Sequence, residues 1–259
     1  MLPAAEPEPR TISVIAAVRF AFEGEAAWTN LLWASLLYVS TQFIPLVGVI
    51  VLQGWLAEVH RRLVRRHPNS SVKFDFDDVS QYLSRGVPAF VVSFLAMLPP
   101  VVVSVSFLIA GVFVNVAGAT GSAEPWVIAT LVLMVLSIPL WLVLLVVVNA
   151  AMTRAELSGE LGQALEPAAI WAYSRATFRV VLGKTLLLVA LAVGLMLVGF
   201  LACFVGAFVA VSAIMIAHMH LRWQIYNDYL LKGGSPIGLA PHEPLKSESR
   251  SGVYGVRHP

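Results

Sequence analysis

The amino-acid sequence predicts an all-α fold: a polytopic integral membrane helical bundle. It is expected to have six membrane helices, as two hairpins flanking two long spans, plus two interfacial amphipathic helices. Three observations carry this expectation. Of the 259 residues 58% are hydrophobic and only 12% charged, whereas a soluble domain keeps roughly a quarter of its residues charged. The apolar residues are gathered into the runs 87–117, 126–152 and 185–221, none of which contains a charge. About 18 such residues suffice to cross a bilayer. These runs also lack the alternation of a membrane barrel, which leaves helices as the spanning structure.

The elements follow in order. Residues 1–10 are rich in Pro and Glu and have neither a basic region nor a small-residue cleavage site, so a disordered lead and no signal peptide are expected. Residues 11–27 read as an interfacial helix with Arg19, Glu23 and Glu25 on its polar side. Residues 28–59 are apolar apart from Glu58 and are interrupted at Ile44-Pro45-Leu46-Val47-Gly48, which suggests a hairpin. A polar stretch from Arg61 to Arg85 precedes the span 87–117, which holds Pro99-Pro100; a small-residue loop at 118–125 leads to the span 126–152, which holds Pro139. Pro167 is suited to a first helical turn, and residues 167–182 read as a second interfacial helix. There Trp171 and Phe178 would face lipid, while Arg175 and Arg179 would face headgroups. The run 185–221 would be about 55 Å long as one helix against roughly 30 Å of hydrocarbon. A split near Cys203–Gly206 is therefore expected. Residues 11–232 are read as a single membrane domain and 233–259 as a disordered cytoplasmic tail.

Charge placement sets the topology. The 17 lysines and arginines fall in four segments: Arg10 and Arg19, six between Arg61 and Arg85, four between Arg154 and Lys184, and five from Arg222 onward. The 118–125 loop and both hairpin turns have none. Basic loops stay cytoplasmic, so each hairpin crosses twice or not at all, and both termini are expected in the cytoplasm. The first hairpin is open to a second reading as a re-entrant element. The layout of 11–59, interfacial helix then hairpin, is echoed by 167–221 as a parallel repeat.

Chemistry-bearing residues are sparse. Gln42, Gln53, Asn115 and Asn149 are the polar groups expected at membrane depth, and Glu58, His218 and His220 lie near the ends of apolar runs. Two histidines two apart point to different faces of a helix, unlike a metal pair. The single cysteine, Cys203, cannot form an internal disulfide. Asp78 with Gln81 suggests a helix cap; pairing of the acidic stretch with the arginines at 61–66 is the other reading. No nucleophile–base pair, phosphate loop or paired intramembrane carboxylates are recognisable, so no enzymatic activity, metal or cofactor is expected. The candidate docking face, for a partner or for lipid, comprises Arg61, Arg62, Arg65, Arg66, Phe74, Phe76, Asp77 and Asp78. Its order is expected to rest on aromatic burial, because exposed ion pairs contribute only about 0–1 kcal/mol each.

Trp28, the Ile44–Gly48 turn, Gly54, Arg61-Arg62, Phe76-Asp77-Asp78, Arg85-Gly86 and Leu98-Pro99-Pro100 occur in that order. The order resembles the prokaryotic multi-pass membrane family catalogued as domain of unknown function 4013. The family tends to have a proline shortly before Phe-Asp-Asp, where this chain has Phe74. The resemblance implies the fold and brings no established activity. The functional expectation is a non-enzymatic scaffold or accessory subunit of an assembly in the bacterial inner membrane. Its expected partners are the bilayer with its anionic headgroups, and membrane proteins or further copies of the chain; nucleic acid is not expected. The competing reading is a transporter or channel for a small or lipidic solute, motivated by the prolines at 45, 99–100 and 139.

Overall fold

The computed structural model describes residues 11–44, 46–67, 71–116, 124–201 and 205–250. Pro45, Cys203 and the loop at 118–123 lie outside them, as does the side chain of Asn115. The described residues form nine α-helices and no strand: α1 Val14–Phe20, α2 Ala27–Ser40, α3 Val47–Val64, α4 Val79–Val116, α5 Glu124–Ser158, α6 Leu161–Ala164, α7 Pro167–Leu201, α8 Val205–Leu231 and α9 Lys246–Arg250. A 3-10 turn, Phe76–Asp78, leads into α4.

Four helical segments among the described residues are long and apolar enough to cross a membrane: Phe76–Ile109, Ser137–Ser158, Pro167–Leu201 and Gly206–Leu231. The first apolar run does divide into two helices on either side of the expected break, α2 ending at Ser40 and α3 beginning at Val47. α2 has 14 residues, about 21 Å, and α3 has 18 residues whose last turn carries Arg61 and Arg62. Neither joins the four. The second interfacial helix does not exist as a separate element. With no proline between Pro167 and Leu201, residues 167–182 continue without a break into the apolar half of α7; Lys184 marks a change of polarity, which ends no helix. The expected repeat is lost for the same reason. Both α4, through Pro88, Pro99 and Pro100, and α5, through Pro139, are also continuous, so the prolines at 99–100 and 139 that motivate the transport reading break neither helix. The split of the last run does fall where length requires it, between Leu201 and Val205.

Burial orders the bundle. α3 packs against α2, α4, α5 and α8. Leu31 and Ala34 of α2, Leu52 and Trp55 of α3, Tyr82 of α4 and Met219 of α8 share one core. A second core joins Val14 and Ala17 of α1 to Val146, Val181, Leu188, Leu221 and Ile225. By contrast α4 and α7 expose large apolar side chains, including Phe94, Leu98, Val102, Leu108, Leu187, Val193 and Leu197. A surface of that kind is suited to lipid and not to water.

The α3–α4 crossing is set by two glycines. A Cβ on Gly54 would lie 1.7 Å from the Tyr82 carbonyl oxygen, and one on Gly86 would lie 1.9 Å from that of Ile50. The two backbones touch, as small residues permit in membrane helix pairs.

The segment after Lys232, expected to be a disordered tail, differs from that expectation over residues 233–250. It folds back over the bundle, burying Ile237 and Leu245 and ending in α9. Its polar composition conceals two well-spaced apolar anchors.

Candidate functional site

At the end of the bundle where α3, α5 and α8 terminate and α4 begins, the helices bring together the charges that the apolar runs exclude. α3 supplies four consecutive-turn residues. Glu58 and Arg62, one turn apart, face α4 and the tail. Arg62 Nε donates to Glu58 Oε1 at 2.8 Å, and Arg85 of α4 donates to Glu58 Oε2 at 2.7 Å. Arg62 also donates to Glu248 of α9 at 2.6 Å, and Arg85 to the Glu243 carbonyl at 2.9 Å. His60 and Arg61 turn to α5: His60 Nδ1 lies 2.7 Å from Glu156 Oε2, and Arg61 Nε donates to the Glu156 carbonyl at 2.6 Å. Arg222 of α8 pairs with the same Glu156 carboxylate, and its Nη1 lies 3.1 Å from His218 Nδ1.

Each bundle carboxylate is thus held between two partners, Glu58 between two guanidinium groups and Glu156 between a guanidinium and an imidazole. Both glutamates, with His60, Arg61 and Arg62, are at most 4% exposed. Burying such charges costs several kcal/mol per ion, which only close pairing offsets. A carboxylate so occupied is an anchor and a poor general base. Buried polar groups without a hydrogen-bond partner include Arg61 Nη2, Arg62 Nη2, His60 Nε2, His218 Nε2, the Tyr82 hydroxyl and the Asn149 amide. Arg61 also lies against Gly159, whose φ of +70° favours glycine and whose added Cβ would lie 2.8 Å from Arg61 Nη2.

The expected docking face is divided by the fold. Arg61 and Arg62 belong to the buried cluster. Arg65 is half-buried and donates to the Ala240 carbonyl, while Arg66 is exposed with φ of +55°. Phe74 is buried among Trp33, Trp55 and Tyr82. Phe76 stays 56% exposed and rests edge-on against Trp33 at 4.6 Å. Asp77 is exposed. Asp78 is buried and accepts from the Ser247 backbone N–H at 3.1 Å and hydroxyl at 2.5 Å. It is therefore not the expected cap. Asp75 caps the 3-10 turn by accepting from the Asp77 N–H at 2.9 Å, and Gln81 instead bonds the tail at Pro244 and Lys246. The tail takes the polar groups that the cap reading assigned to the helix.

Sequence reasoning missed Asn30, which clamps the loop by accepting from the Phe74 N–H at 2.8 Å and donating to the Val72 carbonyl at 3.0 Å. It also missed Arg85, Glu156, Arg222 and Glu248 as one network. The Glu58–Arg62 spacing of four was the one local signal available. In the tail, burial pushes the Glu248 carboxyl upward, but the bond and charge of Arg62 outweigh it and hold it below its ordinary value. Burial, reinforced by Arg65, lowers the His242 imidazole. His218 and His220 do point apart, His218 to Arg222 and His220 stacked on Phe20 at 4.3 Å.

A family model described as "Protein of unknown function (DUF4013)" matches residues 37–211. The match covers more than half of the chain, which therefore belongs to that family. It spans Gly54, Glu58, Arg61, Arg62, Arg85, Gly86 and Glu156, but ends before Arg222 and the tail. No curated protein and no solved structure matches the chain.

Proposed function

We propose that this family member is a non-enzymatic scaffold or accessory subunit of a membrane assembly. We place it in a bacterial inner membrane with six crossings and both termini cytoplasmic. The observation that carries the scaffold reading is the double occupancy of Glu58 and Glu156, closed over by the tail through Arg62–Glu248. That construction stiffens one end of the bundle and leaves neither carboxylate open to a substrate. The tail, the Phe76–Asp77 edge and Arg66 form the face offered to a partner. For the topology, the support is the basic bias: Arg61, Arg85, Arg154 and Arg222 meet at one end, as an even number of crossings between them requires. α2 is short for the hydrocarbon, so the first hairpin would cross with local bilayer thinning.

The test is the size of the native species. Membranes solubilised in mild detergent should yield the chain in a discrete assembly larger than the purified protein, and deletion of residues 241–259 should release it. If the chain migrates at the purified size with and without the tail, the scaffold reading fails.

Transport is the second reading, favoured by the Asn149 amide, buried at 4% exposure with neither polar atom bonded. In a Cys203→Ser background, Asn149→Cys should resist a water-soluble maleimide if the core is dry. Rapid labelling would favour a solute path.

A further inference from the structure

We propose that the groove between α5 and α7 is a binding site for one anionic phospholipid, with its phosphate on Arg175 and Arg179 and an acyl chain along the valines of α5. The groove measures about 550 Å³, within the roughly 300–1,000 Å³ of small-molecule sites. Its floor is Val143, Val146 and Val147 of α5 with Val180 of α7, and its polar lining is Ser174, Arg175, Arg179 and Lys232. The lining thus divides chemically as an amphiphile does, into an apolar trough and a cationic lip.

Charge complementarity selects an anionic headgroup. Elsewhere on the molecule Arg62 and Arg85 are paired with Glu58 and Arg222 with Glu156, while Arg61 is held on the Glu156 carbonyl. Arg175 and Arg179 are exposed, one turn apart on α7, and neither has an ion pair among the described residues. Lys232 contributes less, since Asp228 Oδ2 lies 2.7 Å from its ammonium. Two guanidinium groups spaced by one helical turn suit the several acceptor oxygens of a phosphodiester. Trp171, 65% exposed beside them, has the amphipathic ring that belongs at headgroup depth.

Ser174 is the independent observation. It lines the groove, is 4% exposed, and its Oγ has no hydrogen-bond partner. A helical serine ordinarily satisfies its hydroxyl on the carbonyl one turn back, as Thr177 does on Tyr173 at 2.8 Å. The Ser174 hydroxyl, buried at the wall of the groove, is an unmet bond that a headgroup oxygen entering the groove would satisfy. The position also explains why the basic residues of α7 need not belong to a separate interfacial helix. α7 is continuous, so Arg175 and Arg179 are carried on the outside of a spanning helix, where the nearest abundant anion is lipid. This inference does not depend on the scaffold reading.

The test is native mass spectrometry of the full chain in mild detergent, titrated with palmitoyl-oleoyl phosphatidylglycerol, with the matching phosphatidylcholine, and with inorganic phosphate. One phosphatidylglycerol should be retained at least tenfold more tightly than phosphatidylcholine. Arg175→Gln/Arg179→Gln should lower that retention about tenfold, and Ser174→Ala two- to fivefold. Arg19→Gln, at an exposed residue paired with Glu23, should leave it unchanged. All four positions can be substituted without touching the buried ionic cluster, and equal helicity by circular dichroism confirms that the variants are folded. Equal retention of the two lipids, an unaltered double variant, or displacement of the lipid by millimolar phosphate would each overturn the proposal, the last by making the site one for a free anion.

Discussion

Replacing Gly54 with alanine adds one methyl group where the structure has no room for it. The new Cβ would lie 1.7 Å from the Tyr82 carbonyl oxygen, 2.5 Å from its carbon and 2.9 Å from the Gly86 nitrogen. All three are backbone atoms, so no side-chain rotation relieves the clash, and α3 and α4 must part by roughly 1.5–2 Å to restore ordinary contact. Overpacking of this kind costs about 1–3 kcal/mol. A second cost follows from Glu58, one turn further along α3, whose 2.7 Å bond to Arg85 spans the same helix pair. Moving the helices apart stretches that bond beyond hydrogen-bonding range, and loss of a buried ion pair costs about 3–5 kcal/mol. The two are coupled through one displacement and do not simply add, so a net loss of about 3 kcal/mol or more is expected. Thermal unfolding of the purified protein in mild detergent, followed by size exclusion, should show a midpoint lower by about 6–12 °C, at roughly 2–4 °C per kcal/mol. Gly183→Ala provides the contrast: nothing lies within 4 Å of its added Cβ, and the gain in helix propensity makes it neutral or slightly stabilising. If Gly54→Ala and Gly183→Ala melt within a degree of wild type, the backbone contact of α3 with α4 is wrong.

Three further outcomes follow from the same contacts. Glu58→Gln should destabilise by about 3–5 kcal/mol, because Arg62 and Arg85 then share no buried anion; Glu58→Gln with Arg85→Met should recover part of the loss in the same melt. Phe74→Ser, at 3% exposure, should open the residues around Lys73 to trypsin, with a cost of about 3–5 kcal/mol. Phe76→Ser, at 56% exposure, should change proteolysis little. Because Arg62 lowers the Glu248 carboxyl below its ordinary 4.5, the tail contact is fully present above that pH and is lost as the pH falls through the lowered value. Protection of the amides at residues 241–250, relative to their intrinsic exchange rate at each pH, should therefore fall as the pH drops through the lowered Glu248 value, and Glu248→Gln should lose that protection at neutral pH as well.

Membrane character was legible because it depends on composition summed over long windows. Thirty-one consecutive uncharged residues at 87–117 state a solvent preference whatever the tertiary structure. The end of α7 at Leu201 and the start of α8 at Val205 were legible because one helix through the whole apolar run would exceed the bilayer. Helix ends within polar stretches were not. At Lys184 polarity suggested a boundary between an interfacial helix and a span, yet the backbone hydrogen-bond ladder tolerates a lysine outright. Gly54 and Gly86 were visible as motif letters, but only the crossing shows that each excludes a side chain from the other's helix.

The ionic cluster marks the limit of sequence reading for a physical reason. A charge-poor helix can be recognised from its own residues, whereas the meaning of a charge depends on what lies across from it. Arg61 and Arg62 read as orientation signals and lipid contacts because, in one dimension, they abut a polar loop. Their partners come from residues 156 and 248, about a hundred and nearly two hundred positions away. Pairing across such separations consumes the charges nearest the helix ends and leaves for lipid those that meet no opposing helix. Arg175 and Arg179 are of the second kind, since α5, where it lines the groove with them, presents valines and no acid. Basic residues at membrane helix ends thus divide by opposing neighbour and not by number. The bundle predicts which ones are structural: those facing Glu58 or Glu156. Charge reversal therefore separates the two kinds. Arg222→Glu should abolish folding by setting two carboxylates against each other, while Arg175→Glu should leave the melt within about 0.5 kcal/mol of wild type and remove only the bound anionic lipid. If Arg175→Glu unfolds the protein as Arg222→Glu does, the distinction between anchoring and lipid-facing arginines is refuted.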